Sequence, residues 1–267
     1  MHTAISLARF RELRQLFPPP TLIDAREHAA FERDPAVIPG AIRGAPDARA
    51  EWSRALEPWR PVVVYCVHGH AVSQEVAAYL RERGFDARFL DGGIEAWRGD
   101  GGDTQAYEPP TRWVTRERPK IDRIACPWLI RRFLDPGAEF FYVPNADVRA
   151  FAAARDATPY DIPDVVYSHD GPACSFDAFM RRHALDDRGL DRLATIVRGA
   201  DTDALALAPQ APGLLAMSLG LSRMFDDDHA MLRYGMLVYD ALYTWCREAS
   251  GETHGWNPAA LRSAVPG

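Results

Sequence analysis

Val62-Val63-Val64-Tyr65-Cys66-Val67-His68-Gly69-His70-Ala71-Val72-Ser73 decides how the first part of the chain folds. A run rich in β-branched residues stops abruptly at a cysteine. A short loop with one glycine follows, and a helical pattern then runs through Glu75, Val76, Ala77, Tyr79 and Leu80. Strand, tight loop and helix start, in that order, set the Cys66 thiol at the mouth of a sheet beneath a helix N-terminus. Unpaired N–H groups and the helix dipole favour an anion there, which brings the thiolate within reach near neutral pH. Taken alone, the same cysteine also suits a buried residue closing a core strand.

The neighbouring segments turn this loop into a domain. Thr21-Leu22-Ile23-Asp24-Ala25-Arg26-Glu27 reads as a strand breaking into a polar turn, and Ile38-Pro39-Gly40-Ala41-Ile42 as a turn entering a short strand. Phe89-Leu90-Asp91-Gly92-Gly93-Ile94-Glu95-Ala96-Trp97 reads as a strand, a glycine turn and a closing helix, with a further helix over Ala71–Arg83. Strands alternating with helices predict an α/β unit with a mainly parallel sheet flanked by helices.

On these four elements, residues 4–100 resemble the rhodanese family in its single-domain form. The resemblance implies that Cys66 is the nucleophile and that Val67, His68, Gly69, His70 and Ala71 form the substrate-binding loop. It implies sulfurtransferase activity in which the thiolate takes a sulfane sulfur from a donor such as thiosulfate. The resulting persulfide passes to cyanide or a thiol acceptor, with no cofactor. The chemistry needs a thiolate and a cradle of backbone N–H groups, and Gly69 lets the backbone come close. Many family members carry an arginine where this chain has Ala71. His68 and His70 are the loop's potential cations, and an unperturbed imidazole is mostly neutral at pH 7. Capture of dianionic thiosulfate is therefore expected to be weak. A phosphatase-type cysteine loop is set aside, because the next arginine, Arg81, lies well inside the helix.

Residues 98–111 change character. Gly99-Asp100-Gly101-Gly102-Asp103-Thr104-Gln105 is polar and glycine-rich, and Glu108-Pro109-Pro110 then stiffens the chain. This predicts a tether, giving a first domain over 1–100, a linker over 101–111 and a second domain over 112–250. The second half reads as mainly α-helical with some β (α+β). Helices are expected at Ile121–Leu134 (with Arg131-Arg132 on the side away from the apolar face), Val148–Arg155, Ser175–His183, Leu190–Val197, Leu214–Phe225 and His229–Arg247. Strands are expected at Glu139–Val143 and Val165–His169.

Residues 112–248 resemble the chromate-resistance ChrB C-terminal domain family. The motifs are the run Trp113–Phe133, Cys174-Ser175-Phe176-Asp177-Ala178-Phe179, Val197-Arg198-Gly199-Ala200-Asp201-Thr202 and Tyr239-Asp240-Ala241-Leu242-Tyr243. The resemblance implies a link to chromate resistance and names no reaction.

Polar residues in this half suggest a metal site. Asp226-Asp227-Asp228 precedes a helix on which His229, Arg233, Met236 and Asp240 share one face. With His229 at its centre, Asp122, His169, Asp201 and Asp227 have the right chemistry to hold Mn, Fe or Zn. The same residues also suit a helix cap and a buried hydrogen-bond network. Cys126 and Cys174 are read as structural core cysteines, with sulfur relay or oxyanion reduction as the alternative.

Composition limits the function classes. The 267 residues carry a net charge of −6 and are 47% apolar, with pI about 5.8. This argues against a nucleic-acid partner. No apolar run reaches the roughly 18 residues of a membrane span. With no secretory apolar block and no paired cysteine motif, the four cysteines read as free thiols in a reducing cytoplasm. The leading expectation is rhodanese-type sulfur transfer through Cys66, coupled to a chromate-resistance domain. The alternatives are an oxyanion- or metal-sensing regulator in a chromate or oxidative stress response, in which chromate itself is a ligand, and a degenerate rhodanese serving as a docking module.

Overall fold

The computed structural model describes residues 3–252. The first half is built on a five-stranded sheet in the order β1-β6-β5-β2-β4, parallel throughout. Its strands are β1 (Ala4–Ile5), β2 (Thr21–Asp24), β4 (Ala41–Arg43), β5 (Val62–Tyr65) and β6 (Ala87–Leu90). The two-residue β3 (Ala36–Val37) lies outside this sheet. Helices α1 (Leu7–Arg14), α2 (His28–Arg33), α3 (Arg49–Trp52), α4 (Ala71–Arg81) and α5 (Gly93–Gly99) complete the unit.

β5 is the central strand, and all four of its residues are buried. Val63 and Tyr65 join the apolar cluster with Phe10, Ile94 and Trp97. Val62 and Val64 face the other way, onto Val76, Ala77 and Leu80 of α4. A strand covered on both faces needs a continuous apolar run, which is why Val62–Tyr65 shows no polar alternation.

The stretch read as a tether is docked on this half. Gln105–Ala106 (β7) pairs antiparallel with β3, and the Trp97 indole N–H donates to the Asp103 carbonyl at 2.8 Å.

The second half has a small parallel sheet in the order β10-β8-β9, formed by Thr158–Pro159, Arg112–Arg116 and Glu139–Val143. α7 (Val148–Arg155) covers one face through Val148 and Ala152. α6 (Asp122–Leu129), α8 (Ser175–Arg182), α9 (Arg188–Asp201), α10 (Ala211–Met224) and α11 (Asp228–Thr244) build the larger core on the other. β8 supplies both, with Trp113 in the larger core and Val114 in the smaller.

Two expectations fail here. Val165–His169 is not a strand; Tyr167 makes one isolated bridge to Tyr160. Asp161 and Asp164 both take positive φ, Pro163 lies between them, and Val166 is 56% exposed, so the segment turns repeatedly and has no buried face. Arg131 and Arg132 do not point away from the core. α6 contains Pro127, which has no backbone N–H to bond the preceding turn, and it continues as a π-helical segment over Ile130–Leu134. The wider turn aims Arg132 at the first half. There its guanidinium lies 2.6 Å from Glu57 and 2.7 Å from Asp240, with all three side chains at 4% exposure or less. Phe17 adds an apolar contact across the same junction, 4.6 Å centroid to centroid from Tyr243. No helix among the described residues is long and apolar enough to cross a membrane.

Candidate functional site

Cys66 leaves the carboxyl end of β5, where open parallel sheets bind their ligands. Its side chain is 6% exposed, and its sulfur lies 3.2 Å from the Ser73 hydroxyl on the first turn of α4. His70 is the N-cap of α4 without a side-chain cap bond. Among the described residues, no protein acceptor meets the N–H groups of Val67, His68, Gly69, His70 or Ala71. The loop thus presents a row of free donors at a helix N-terminus, an arrangement with the chemistry to receive an anion. His68 and His70 are exposed, with ring centroids 5.7 Å apart.

The loop keeps its shape through a second backbone segment. Gly69 has φ +70°, and a Cβ there would fall 2.6 Å from the Leu90 carbonyl oxygen. Gly93 has φ +60°, and its Cβ would meet the Cys66 and Val67 carbonyl oxygens at 2.4 and 2.5 Å. The Ile94 and Glu95 N–H groups donate to those same carbonyls at 3.0 and 3.1 Å. Two glycine-bearing chains therefore lie against each other, which explains both the Gly69 loop and the Gly92-Gly93 turn. Asp24 and Arg26 play a different part. They form a fully buried ion pair, and Arg26 also donates to the carbonyls of Asp34 and Ala36.

The second half gathers a different constellation. Asp122 begins α6, His169 lies in the loop before α8, and Asp201 ends α9. One ligand atom from each lies within 4.8 Å of the other two. His169 Nε2 is 3.0 Å from Asp201 Oδ2 and 3.7 Å from Asp122 Oδ2. It is also 3.4 Å from Asp161 Oδ1, a residue the sequence reading missed. Asp161 receives hydrogen bonds from Ser175 Oγ and Arg116, and Arg123 stands 3.3 Å away. An acid between Tyr160 and Ile162, both buried, was the available signal.

Charge is distributed unevenly in this cluster. Burial, followed by the Asp201 and Asp161 carboxylates, pushes Asp122 well above the usual carboxylate range. Burial and Asp161 also raise Asp201. Burial pushes Asp161 up too, but its bonds from His169, Ser175 and Arg116 outweigh that and leave it below its ordinary value. His169 is pushed up to about 9, first by Asp161 and, against the cost of burial, by Asp122 and Asp201.

Asp227 and His229 are not members of this cluster. Asp227 is the N-cap of α11, its Oδ1 accepting the His229 N–H at 3.0 Å. The His229 ring packs edge-on to Tyr142 at 5.6 Å. On the same helix Asp240 accepts from the Trp128 indole and from Arg132. The expected site centred on His229 is thus divided into a cap, a buried network and a cluster of which His169 is the imidazole.

All four cysteines are free. Cys126 and Cys174 are fully buried, and burial followed by the Asp122 charge raises both thiols far above their ordinary range. Burial pushes Cys246 up to about 11.

Two family models match the chain: "Rhodanese-like domain" over residues 9–100 and "ChrB, C-terminal domain" over residues 113–246. The chain belongs to both families. Its rhodanese-like part is 40% identical over 78 residues to the thiosulfate sulfurtransferase GlpE of Pseudomonas syringae pv. syringae, covering 29% of this chain and 71% of that protein. The GlpE of Tolumonas auensis is 35% identical over 97 residues, covering 36% and 88%. Its ChrB-type part is 36% identical over 134 residues to Protein ChrB of Cupriavidus metallidurans, covering 50% of this chain and 40% of that relative's length. Among solved structures, a rhodanese-related protein from Thermoplasma volcanium aligns over 40% of this chain and all of its own, with 24% identity and a TM-score of 0.35. The rhodanese-like part is a sulfurtransferase-type domain, joined to a domain of the chromate-resistance family.

Proposed function

We propose that Cys66 carries sulfur from thiosulfate, or a related sulfane donor, to a thiol acceptor. The thiolate attacks the outer sulfur of the donor, the donor's S–S bond breaks, and sulfite leaves with the electron pair. The persulfide then gives its terminal sulfur to the acceptor thiolate, and the Cys66 thiolate is regenerated. The observation that carries this reading is the row of unpaired N–H groups over residues 67–71, placed around the one cysteine at a strand-to-helix junction. Those donors stabilise the negative terminal sulfur without a fixed cation, and the Ser73 hydroxyl, which donates to the His70 carbonyl, lies 3.2 Å from the sulfur of Cys66. Chromate, a tetrahedral dianion, fits the same chemistry and is expected to compete with thiosulfate for this cradle. That competition is one way in which a sulfur-transfer domain would serve a chromate-resistance chain.

Mass spectrometry after incubation with thiosulfate tests the proposal. The Cys66 peptide should gain one sulfur atom, sulfite should be released, and Cys66→Ser should abolish both. Iodoacetamide should label Cys66 ahead of Cys126, Cys174 and Cys246, whose thiolates are disfavoured by burial. Sulfur found on another cysteine, or no gain at Cys66 in the folded protein, would defeat the reading.

A further inference from the structure

The Asp/His cluster of the second half is built on other elements than the Cys66 loop, and its arrangement asks for a cation. Asp122 is 1% exposed. Its Oδ2 accepts the Ser175 N–H at 2.6 Å, whereas its Oδ1 is buried with no partner among the described residues. A carboxylate oxygen in that position loses its hydration and gains nothing in return, so it marks a missing partner. The local cations do not supply one. Arg116 and Arg123 both engage Asp161 Oδ2, leaving Asp122 and Asp201 to share one imidazole.

The backbone beside Asp122 is held in an unusual state. Ile121 has φ +35°, a costly conformation for a β-branched residue. Its N–H donates to Ser218 Oγ at 2.8 Å, and its carbonyl accepts the Tyr239 hydroxyl at 3.0 Å. Side chains from α10 and α11 therefore fix the start of α6 and, with it, the direction of Asp122.

We infer that Asp122, His169 and Asp201 bind a divalent first-row cation of the Mn²⁺, Fe²⁺ or Zn²⁺ class; Asp161, whose Oδ1 lies 3.4 Å from the same His169 Nε2, stands beside the donor set. Two carboxylates and one imidazole form a hard-to-borderline donor set. Bonds of about 2.0–2.2 Å put neighbouring ligand atoms roughly 3 Å apart. The 3.0 Å separation of His169 Nε2 and Asp201 Oδ2 already meets that spacing, and Asp122 at 3.7 Å needs a small closure. The ion satisfies the Asp122 carboxylate and relieves the crowding of acids. Cys126 and Cys174 stay outside the donor set. The His169 side chain is 41% exposed, so the ion is reached from solvent. Three protein ligands leave further positions for water or an oxyanion, the pattern of a working site rather than a closed structural one.

The test uses the full chain stripped with a chelator and titrated with Mn²⁺, which prefers oxygen and imidazole donors to a lone thiol. Bound Mn²⁺ is read by electron paramagnetic resonance and by thermal shift, with Zn²⁺ and anaerobic Fe²⁺ as parallel arms. One ion should bind per chain and raise the melting temperature. Asp122→Asn keeps the side-chain shape and removes the buried charge. It should weaken binding at least tenfold, and the chelator-treated variant should melt no lower than the wild type. His169→Ala should weaken binding to a similar degree. If Asp122→Asn fails to fold, Asp201→Asn, nearer the rim, serves instead. Failure of the folded wild type to bind any of the three ions overturns the inference. So does binding that survives both Asp122→Asn and His169→Ala.

Discussion

The Cys66 loop and the Asp/His cluster lie at equivalent places in their halves and are made of opposite materials. Each follows the carboxyl end of a parallel strand, Cys66 after β5 and Asp161 after β10. The first site is backbone. Five consecutive N–H groups stand without a protein acceptor, and glycines 69 and 93 let two segments touch. The second is side chains, drawn from positions 122, 161, 169 and 201 on separate elements. A backbone site suits an anion whose charge is spread over several donors. A carboxylate and imidazole site suits a compact cation.

The difference has a direct mutational signature, and the largest effect is expected at Gly93. Gly93→Ala and Gly171→Ala carry a similar conformational cost, about 1 kcal/mol, because both positions have positive φ. They differ in surroundings. A Cβ at Gly93 meets two carbonyl oxygens of the cysteine loop, whereas nothing lies within 4 Å of one at Gly171, in the loop leaving His169. Gly93→Ala should remove sulfur transfer altogether and lower stability by several kcal/mol in denaturant melts. Gly171→Ala should cost only the conformational term. Equal effects would mean that the glycine contact does not shape the loop.

The junction between the halves separates them in a second way. α6 and its π-helical continuation run from Asp122 to Arg132, so one helix links the cluster to the first half. Arg132→Met leaves Glu57 and Asp240 buried with less compensation, and the expected loss is about 3–5 kcal/mol. Burial pushes Glu57 up, but Arg132 and Arg60 outweigh it and hold the carboxyl below its ordinary 4.5. A depressed folded-state value gives stability that is present above pH 4.5 and lost as pH falls through the lower folded value. The melting-temperature gap between wild type and Arg132→Met should therefore be widest near neutrality and narrow below about pH 4. A gap that ignores pH would show that Arg132 acts by packing alone.

How far the sequence revealed each site follows from the same contrast. The cysteine loop was legible because strand, glycine turn and helix start are neighbours in the chain. The five-strand order and the Gly69–Gly93 contact needed the fold. In the second half, residue type singled out Asp122, His169 and Asp201, but the attempt to centre them on His229 failed. Asp227 satisfies its own helix N-terminus, a local interaction that leaves little for a distant ion. Asp161 went unread because its value depends on Arg116, Arg123, His169 and Ser175 arriving from other elements. Val165-Val166-Tyr167 showed strand propensity, and positive-φ aspartates around Pro163 overrode it. Arg132 was misplaced because a π-helical turn shifts the helix face, and periodicity counted at 3.6 residues per turn does not detect that shift.

The smallest expected effect is a gain, and it asks whether a backbone cradle can be improved by a side-chain charge. Ala71 is exposed, is the first residue of α4 and closes the loop around Cys66. No Lys or Arg occurs between Cys66 and Ser73, so in the proposed reaction the free N–H groups would meet the donor anion without a fixed cation. Ala71→Arg adds a guanidinium whose forked donors match a thiosulfate oxygen pair. It should raise kcat/KM for thiosulfate by about threefold to tenfold, mostly through KM, since an exposed charge is screened by solvent and contributes on the order of 1 kcal/mol. The gain should shrink as salt rises from low to physiological ionic strength. Melting temperature should stay within a degree or two, because the arginine replaces no contact. A rate that stays flat while the persulfide still forms would assign the weakness to acceptor release. The cradle would then be complete without a cation, and its five N–H groups would be sufficient for the donor dianion.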